Sequence, residues 1–183
     1  MMLTQEAVAL ALARVEKGLA KYLDLQKRLR ATHVARDRDF QRAFNGFYRV
    51  RRNAAWQAVY FDLLEREKAE RRGFESVLRE LHAGLGRYEA SFASKLTASV
   101  NPALPVIDAF VLKNMGLRLP SRTSPDRLGG IGEAHRRLAD SYARLLASTE
   151  GMTAVAAFEQ FYPDTGLHDV KKLDLLMWQM REG

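Results

Sequence analysis

Three short stretches carry the residues best suited to chemistry. In Pro105-Val106-Ile107-Asp108-Ala109-Phe110-Val111, Asp108 stands where an apolar helical pattern begins, after a segment kept extended by Asn101-Pro102 and Pro105. A carboxylate at such a point is held by the protein and not left to wander in solvent, so it can act as a general base or stabilise developing positive charge. Upstream, Gly84-Leu85-Gly86 separates one apolar helical pattern (Phe74, Val77, Leu78, Leu81) from another (Tyr88, Phe92, Leu96, Val100). Two glycines between helices let the backbone approach another molecule closely, and the N–H groups opening the second helix suit an anion such as phosphate. The third stretch, FYRVRRNAAW over 47–56, interleaves aromatic rings with Arg49, Arg51 and Arg52, a mixture that can stack on bases while cations hold phosphates.

Each stretch also has a plain structural reading. Asp108 can be an ordinary N-cap, worth about 1 kcal/mol to a helix. Phe40, Phe44 and Phe47 recur at helical spacing and suit a core, as does Tyr88; Lys95 can pair with Glu89 or Ser91 one or two turns back. His33, His82, His135 and His168 lack the spacing of a metal site, so no metal is expected. Gly129-Gly130-x-Gly132 has neither a preceding strand nor the Lys-Ser end of a phosphate loop.

GLGRYEA over 84–90 followed by PVIDAFV over 105–111 resembles the helix-hairpin-helix DNA glycosylases, in which a glycine hairpin precedes a helix and a Pro-x-x-Asp-x-x-Val segment. The resemblance covers residues 81–116. It implies that backbone amides around Gly84, Gly86 and Arg87 grip a DNA phosphate and that Asp108 is the catalytic carboxylate. Tyr88, twenty residues before Asp108, falls where bifunctional members have a nucleophilic lysine, which resembles the monofunctional members that hydrolyse with water alone. Lys95, two turns further along the helix, is a second candidate for a chemical role. His82-Ala83 replaces the usual proline before the hairpin, and Ala109 follows Asp108 where many members have a polar residue. SFASK at 91–95 and the ending KKLDLLMWQMR also resemble segments of small bacterial proteins, a likeness that implies no activity.

Charge and composition bound the rest. The chain has 183 residues and a formal charge of +7; residues 14 to 52 hold twelve basic side chains against four acidic ones, an excess larger than that of the whole chain. Such a concentration is the footprint of a polyanion, either nucleic acid, with duplex DNA the expected partner, or an anionic membrane surface, or else a solvated face of two helices. There is no cysteine, which removes disulfides, zinc thiolate sites and the iron–sulfur cluster that some glycosylases of this type carry; no cofactor is expected. Arg14, Glu16 and Lys17 break the apolar N-terminus before a membrane-length run develops, so no membrane association is expected and a cytoplasmic location is the default.

Helical spacing dominates, and alternating β-branched runs are few. The pattern predicts an all-α fold, a single compact domain over 1–183 of about seven to eight helices. Thr4 caps a first helix running to about Leu29, whose apolar stripe can pack internally or form a homodimer; Asp37 or Asp39 caps the second. LRLPSRTSPDRLGGIG over 117–132 is expected to be flexible and too glycine-rich to be helical throughout. The expected activity is hydrolysis of the N-glycosidic bond of a flipped damaged or modified base, as in DNA repair. The alternative is a non-enzymatic helical nucleic-acid-binding or protein-interaction module in which Asp108 is only a cap.

Overall fold

The computed structural model describes residues 3–180 and is all-helical over them, with no strand. Nine helices follow in order: α1 (Gln5–Ala31), α2 (Arg38–Tyr48), α3 (Ala54–Glu70), α4 (Phe74–Leu85), α5 (Ala90–Val100), α6 (Ala109–Asn114), α7 (Arg127–Leu146), α8 (Thr149–Phe161) and α9 (Asp169–Gln179). Helix starts follow capping chemistry. Thr4 accepts from Ala7 N–H, Asp37 from the N–H groups of Asp39 and Phe40, Asn53 from Trp56 and Ser148 from Gly151, each satisfying a donor that the first turn leaves unpaired.

The long stripe of α1 (Val8, Leu12, Val15, Leu19, Tyr22, Leu25, Leu29) is buried inside the chain against α2, α8 and α9. That stripe is therefore consumed within one copy and is not a surface on which a second copy could dock. Phe40, Phe44, Tyr60 and Phe61 form an aromatic knot between α2 and α3, with Phe44 edge-on to Phe61 at 5.6 Å between ring centres. Phe40 and Phe44 thus belong to packing, where a ring buries 150 Å² or more, and Phe47 lies half-buried against the same core.

Two sequence expectations are corrected. The glycines after Pro125 lie inside α7, which Asp126 caps by accepting from Gly129 N–H. They serve close packing: a Cβ on Gly129 would fall 2.2 Å from the capping carboxylate, on Gly130 3.1 Å from the Pro120 ring, and on Gly132 2.9 Å from the Glu75 carboxylate. Only 117–126 remains outside regular helix in that stretch. At the other glycine pair, Gly84 stays within α4, where a Cβ would sit 3.1 Å from the Val59 side chain, so it lets α4 lie against α3. Gly86 alone makes the turn, with φ 64° and its N–H on the His82 carbonyl. The following helix starts at Ala90, and Tyr88 is in the turn rather than on α5.

Candidate functional site

The segment 102–108 that delivers Asp108 is pinned from both sides. Ser94 of α5, fully buried, accepts the Ile107 N–H at 2.8 Å, and the His135 ring of α7 lies 3.2 Å from the Pro105 carbonyl, to which Nε2–H donates. His135 also stacks on Phe74, ring centres 3.9 Å apart. Burial pushes its pKa down to about 4, a shift that the hydrogen bond to Pro105 only partly offsets, so the ring is neutral at pH 7. Val106, between these anchors, and Ile107, which carries one of them, are both buried. Asp108 then caps α6, its Oδ1 accepting from Phe110 N–H at 2.9 Å.

Beside Asp108 is a cavity of about 130 Å³ lined by α2, α5, α6 and α9. Arg49 and Lys95 line it with Asp108, and α9 adds Lys171, Asp174 and Trp178. A dry cavity of ~150 Å³ holds one benzene, so this one is of the size for a single small ring. Lys95 Nζ donates to Ser91 Oγ at 2.9 Å and stands 5.0 Å from the centre of the Phe92 ring. Lys171 donates to Asp174 at 2.7 Å and lies 4.6 Å from the Tyr22 ring; the Tyr142 hydroxyl donates to the other oxygen of Asp174 at 3.1 Å. Burial pulls the Lys171 ammonium down, but Asp174 and the nearby phenols outweigh it and leave its pKa above the usual lysine range. Burial raises the Tyr142 phenol well above its ordinary value, with the Asp174 charge adding to it. Taking two charges out of water costs several kcal/mol per ion, which apolar residues would avoid.

The sequence pointed to Asp108, Lys95 and Arg49 but not to Lys171, Asp174 and Trp178. A signal was present: 171, 174 and 178 share one helix face, and two charges adjoin the apolar arc of Val170, Leu173, Leu176 and Met177.

The remaining candidates gather elsewhere. Arg51, Arg52, Gly84 and Arg87 line an open groove with Asn53 and Trp56. Arg51 and Arg87 are exposed there, while Arg52 reaches the buried Glu89 carboxylate at 3.2 Å. Glu89, at the N-cap position of α5, also accepts from Trp56 Nε1 at 3.1 Å and has Arg87 at 3.6 Å. The Glu89 carboxylate makes no capping hydrogen bond to α5 and is turned instead to Arg52 and Trp56. Tyr88 stacks on His82, ring centres 4.1 Å apart, with Arg127 over its ring at 5.0 Å, and it does not line the Asp108 cavity. Arg52 of the groove and Lys95 of the cavity both stand over the Phe92 ring, at 5.2 Å and 5.0 Å. No helix among the described residues is long and apolar enough to cross a membrane.

No family model matches the chain, no curated protein matches it, and no solved structure matches it.

Proposed function

We propose that the protein is a DNA glycosylase that receives one flipped base in the Asp108 cavity and hydrolyses its bond to the sugar. The observation that carries this reading is the meeting of Asp108 and Lys95 in a ring-sized cavity, with Lys95 sharing the Phe92 ring with Arg52 of a groove that also bears Arg51 and Arg87. The groove suits a phosphate backbone and the cavity suits a base taken out of the stack. As the bond between the sugar C1′ and the base nitrogen breaks, its electron pair leaves with the base, and the sugar becomes cationic. The Asp108 carboxylate stabilises that cation electrostatically; water then adds at C1′ and loses a proton to Asp108 or solvent. Lys95, as a cation, favours the negative charge building on the departing base. Tyr88 has no part in this chemistry, because it lies outside the cavity.

The specific observation favouring a non-enzymatic nucleic-acid-binding module is that Asp108 caps α6. Asn caps as well as Asp but carries no charge. Asp108→Asn is therefore expected to leave the melting temperature and duplex affinity unchanged while abolishing base release from a panel of damaged and modified duplexes. Cleavage at abasic sites is read separately, since nicking that depends on Lys95 would replace water by an amine nucleophile. Wild-type protein that binds duplex but releases no base from the panel leaves the binding module as the function.

A further inference from the structure

Two arginines, Arg49 and Arg71, form a natural matched pair. Arg49 (φ 53°, ψ 44°) ends α2 and Arg71 (φ 48°, ψ 40°) ends α3, both in the left-handed region that glycine adopts without strain. Each donates its backbone N–H to the carbonyl four residues back, Asn45 and Glu67, and each side chain is exposed. The helix dipole favours a cation equally at both ends. Their surroundings differ. Only Arg49 lines the Asp108 cavity, whereas Arg71 borders a separate surface groove with Gln26, Arg30 and Pro102. Among the described residues neither guanidinium has an ion pair or hydrogen bond within the chain, so what separates the two is the cavity that Arg49 alone lines. A cavity that holds one small ring must let whatever is joined to that ring leave through its mouth.

We infer that Arg49 is the phosphate anchor of this cavity, its guanidinium gripping the phosphodiester next to the nucleotide whose base enters. The planar fork of an arginine matches two phosphate oxygens, and exposure at the rim leaves it free to meet a strand that stays outside. This rests on the reading of the cavity as a base site. It separates Arg49 from Arg51 and Arg52, its near neighbours in sequence, which belong to the groove.

The matched pair supplies the experiment. Wild type, Arg49→Gly and Arg71→Gly are compared by thermal melting and by fluorescence anisotropy on a duplex carrying a tetrahydrofuran abasic analogue, over a series of salt concentrations. Both variants relieve left-handed strain and are expected to melt a few degrees higher, roughly 2–4 °C. Arg49→Gly is expected to bind the duplex about tenfold more weakly, with a plot of log affinity against log salt shallower by about one phosphate contact; Arg71→Gly keeps the wild-type slope. A wild type that does not bind this duplex, an unchanged slope in Arg49→Gly, or an equal loss in both variants overturns the anchor. In a separate arm, free deoxynucleosides are titrated against wild type while the Trp178 indole N–H is followed by NMR. Loss of that response with the duplex result intact removes the base site and leaves the anchor; the opposite pattern removes the anchor and leaves the base site.

Discussion

Phe92 has cations over its ring from two different places, Lys95 from the cavity and Arg52 from the groove, and the two places handle charge in opposite ways. In the groove one buried carboxylate, Glu89, gathers Arg52, Arg87 and the Trp56 indole at a surface where Arg51 and Arg87 remain in water. In the cavity an ion pair on α9, buried Lys171 with partly buried Asp174, is largely withdrawn from water, and Asp108 is aimed by an extended segment fixed at Ser94 and His135. Solvated charge gives long-range attraction that salt screens, whereas charge set in a cavity gives orientation at a substantial desolvation cost. The difference teaches that basic residues adjacent in sequence, Arg49 beside Arg51 and Arg52, need not share a task.

The sharpest way to break this contrast is to remove one partner of the cavity pair. Lys171→Met leaves the partly buried Asp174 without its counter-charge, with only the Tyr142 hydroxyl still donating to it, and is expected to cost about 3 kcal/mol in denaturant unfolding. The double variant Lys171→Met with Asp174→Leu is expected to recover most of that loss, since no lone charge is left. A single variant within 1 kcal/mol of wild type would show that water reaches the pair as freely as it reaches the groove.

Acid should act on the cavity side first. The His135 ring, normally near 6.5, is depressed to about 4 in the folded protein, so the unfolded chain binds the extra proton more readily. The neutral ring's contribution is intact above about pH 6.5 and is lost as pH falls towards 4, a total of about 3 kcal/mol. Unfolding free energies measured from pH 7 to 4 should show this decline, and His135→Gln should be flatter over the same window. Parallel curves for the two proteins would mean that other groups drive the acid response.

Smaller effects divide the groove itself. Arg52→Ser removes one partner of buried Glu89 and is expected to cost about 1–2 kcal/mol. Arg51→Ser, at an exposed side chain, should stay within about 0.5 kcal/mol while making duplex binding less dependent on salt. If the two variants melt alike, Arg52 is not holding Glu89. The smallest stability change that remains measurable is at the turn: Gly86→Ala meets no atom within 4 Å but must keep φ near 64°, which costs about 1 kcal/mol. Unchanged duplex affinity in that variant would assign the turn to folding alone.

Much of the fold was legible in the sequence, and for local reasons. The apolar period of 3.6 marked the helices, and Thr4, Asp37 and Asp108 each act as the N-caps that their type and position imply. The misreadings were at glycines. Gly129, Gly130 and Gly132 looked like helix breakers, but a missing Cβ also permits contact with Asp126, Pro120 and Glu75, and no local rule distinguishes the two uses. Gly84 was misread for the same reason, its neighbour being Val59 on another helix.

By itself the sequence determined what is set within a few residues: which segments are helical, where many of them begin, the absence of cysteine chemistry and the basic bias of residues 14–52. Only the tertiary structure decided which side chains meet. Helical period gives a residue its face but not the helix that will cover that face, so Lys171, Asp174 and Trp178 joined Asp108, Lys95 and Arg49 through the packing of α9 beside α6 and α1. For the same reason Tyr88, closer in sequence to Lys95 than any residue of α9, ended against His82 and Arg127, outside the cavity.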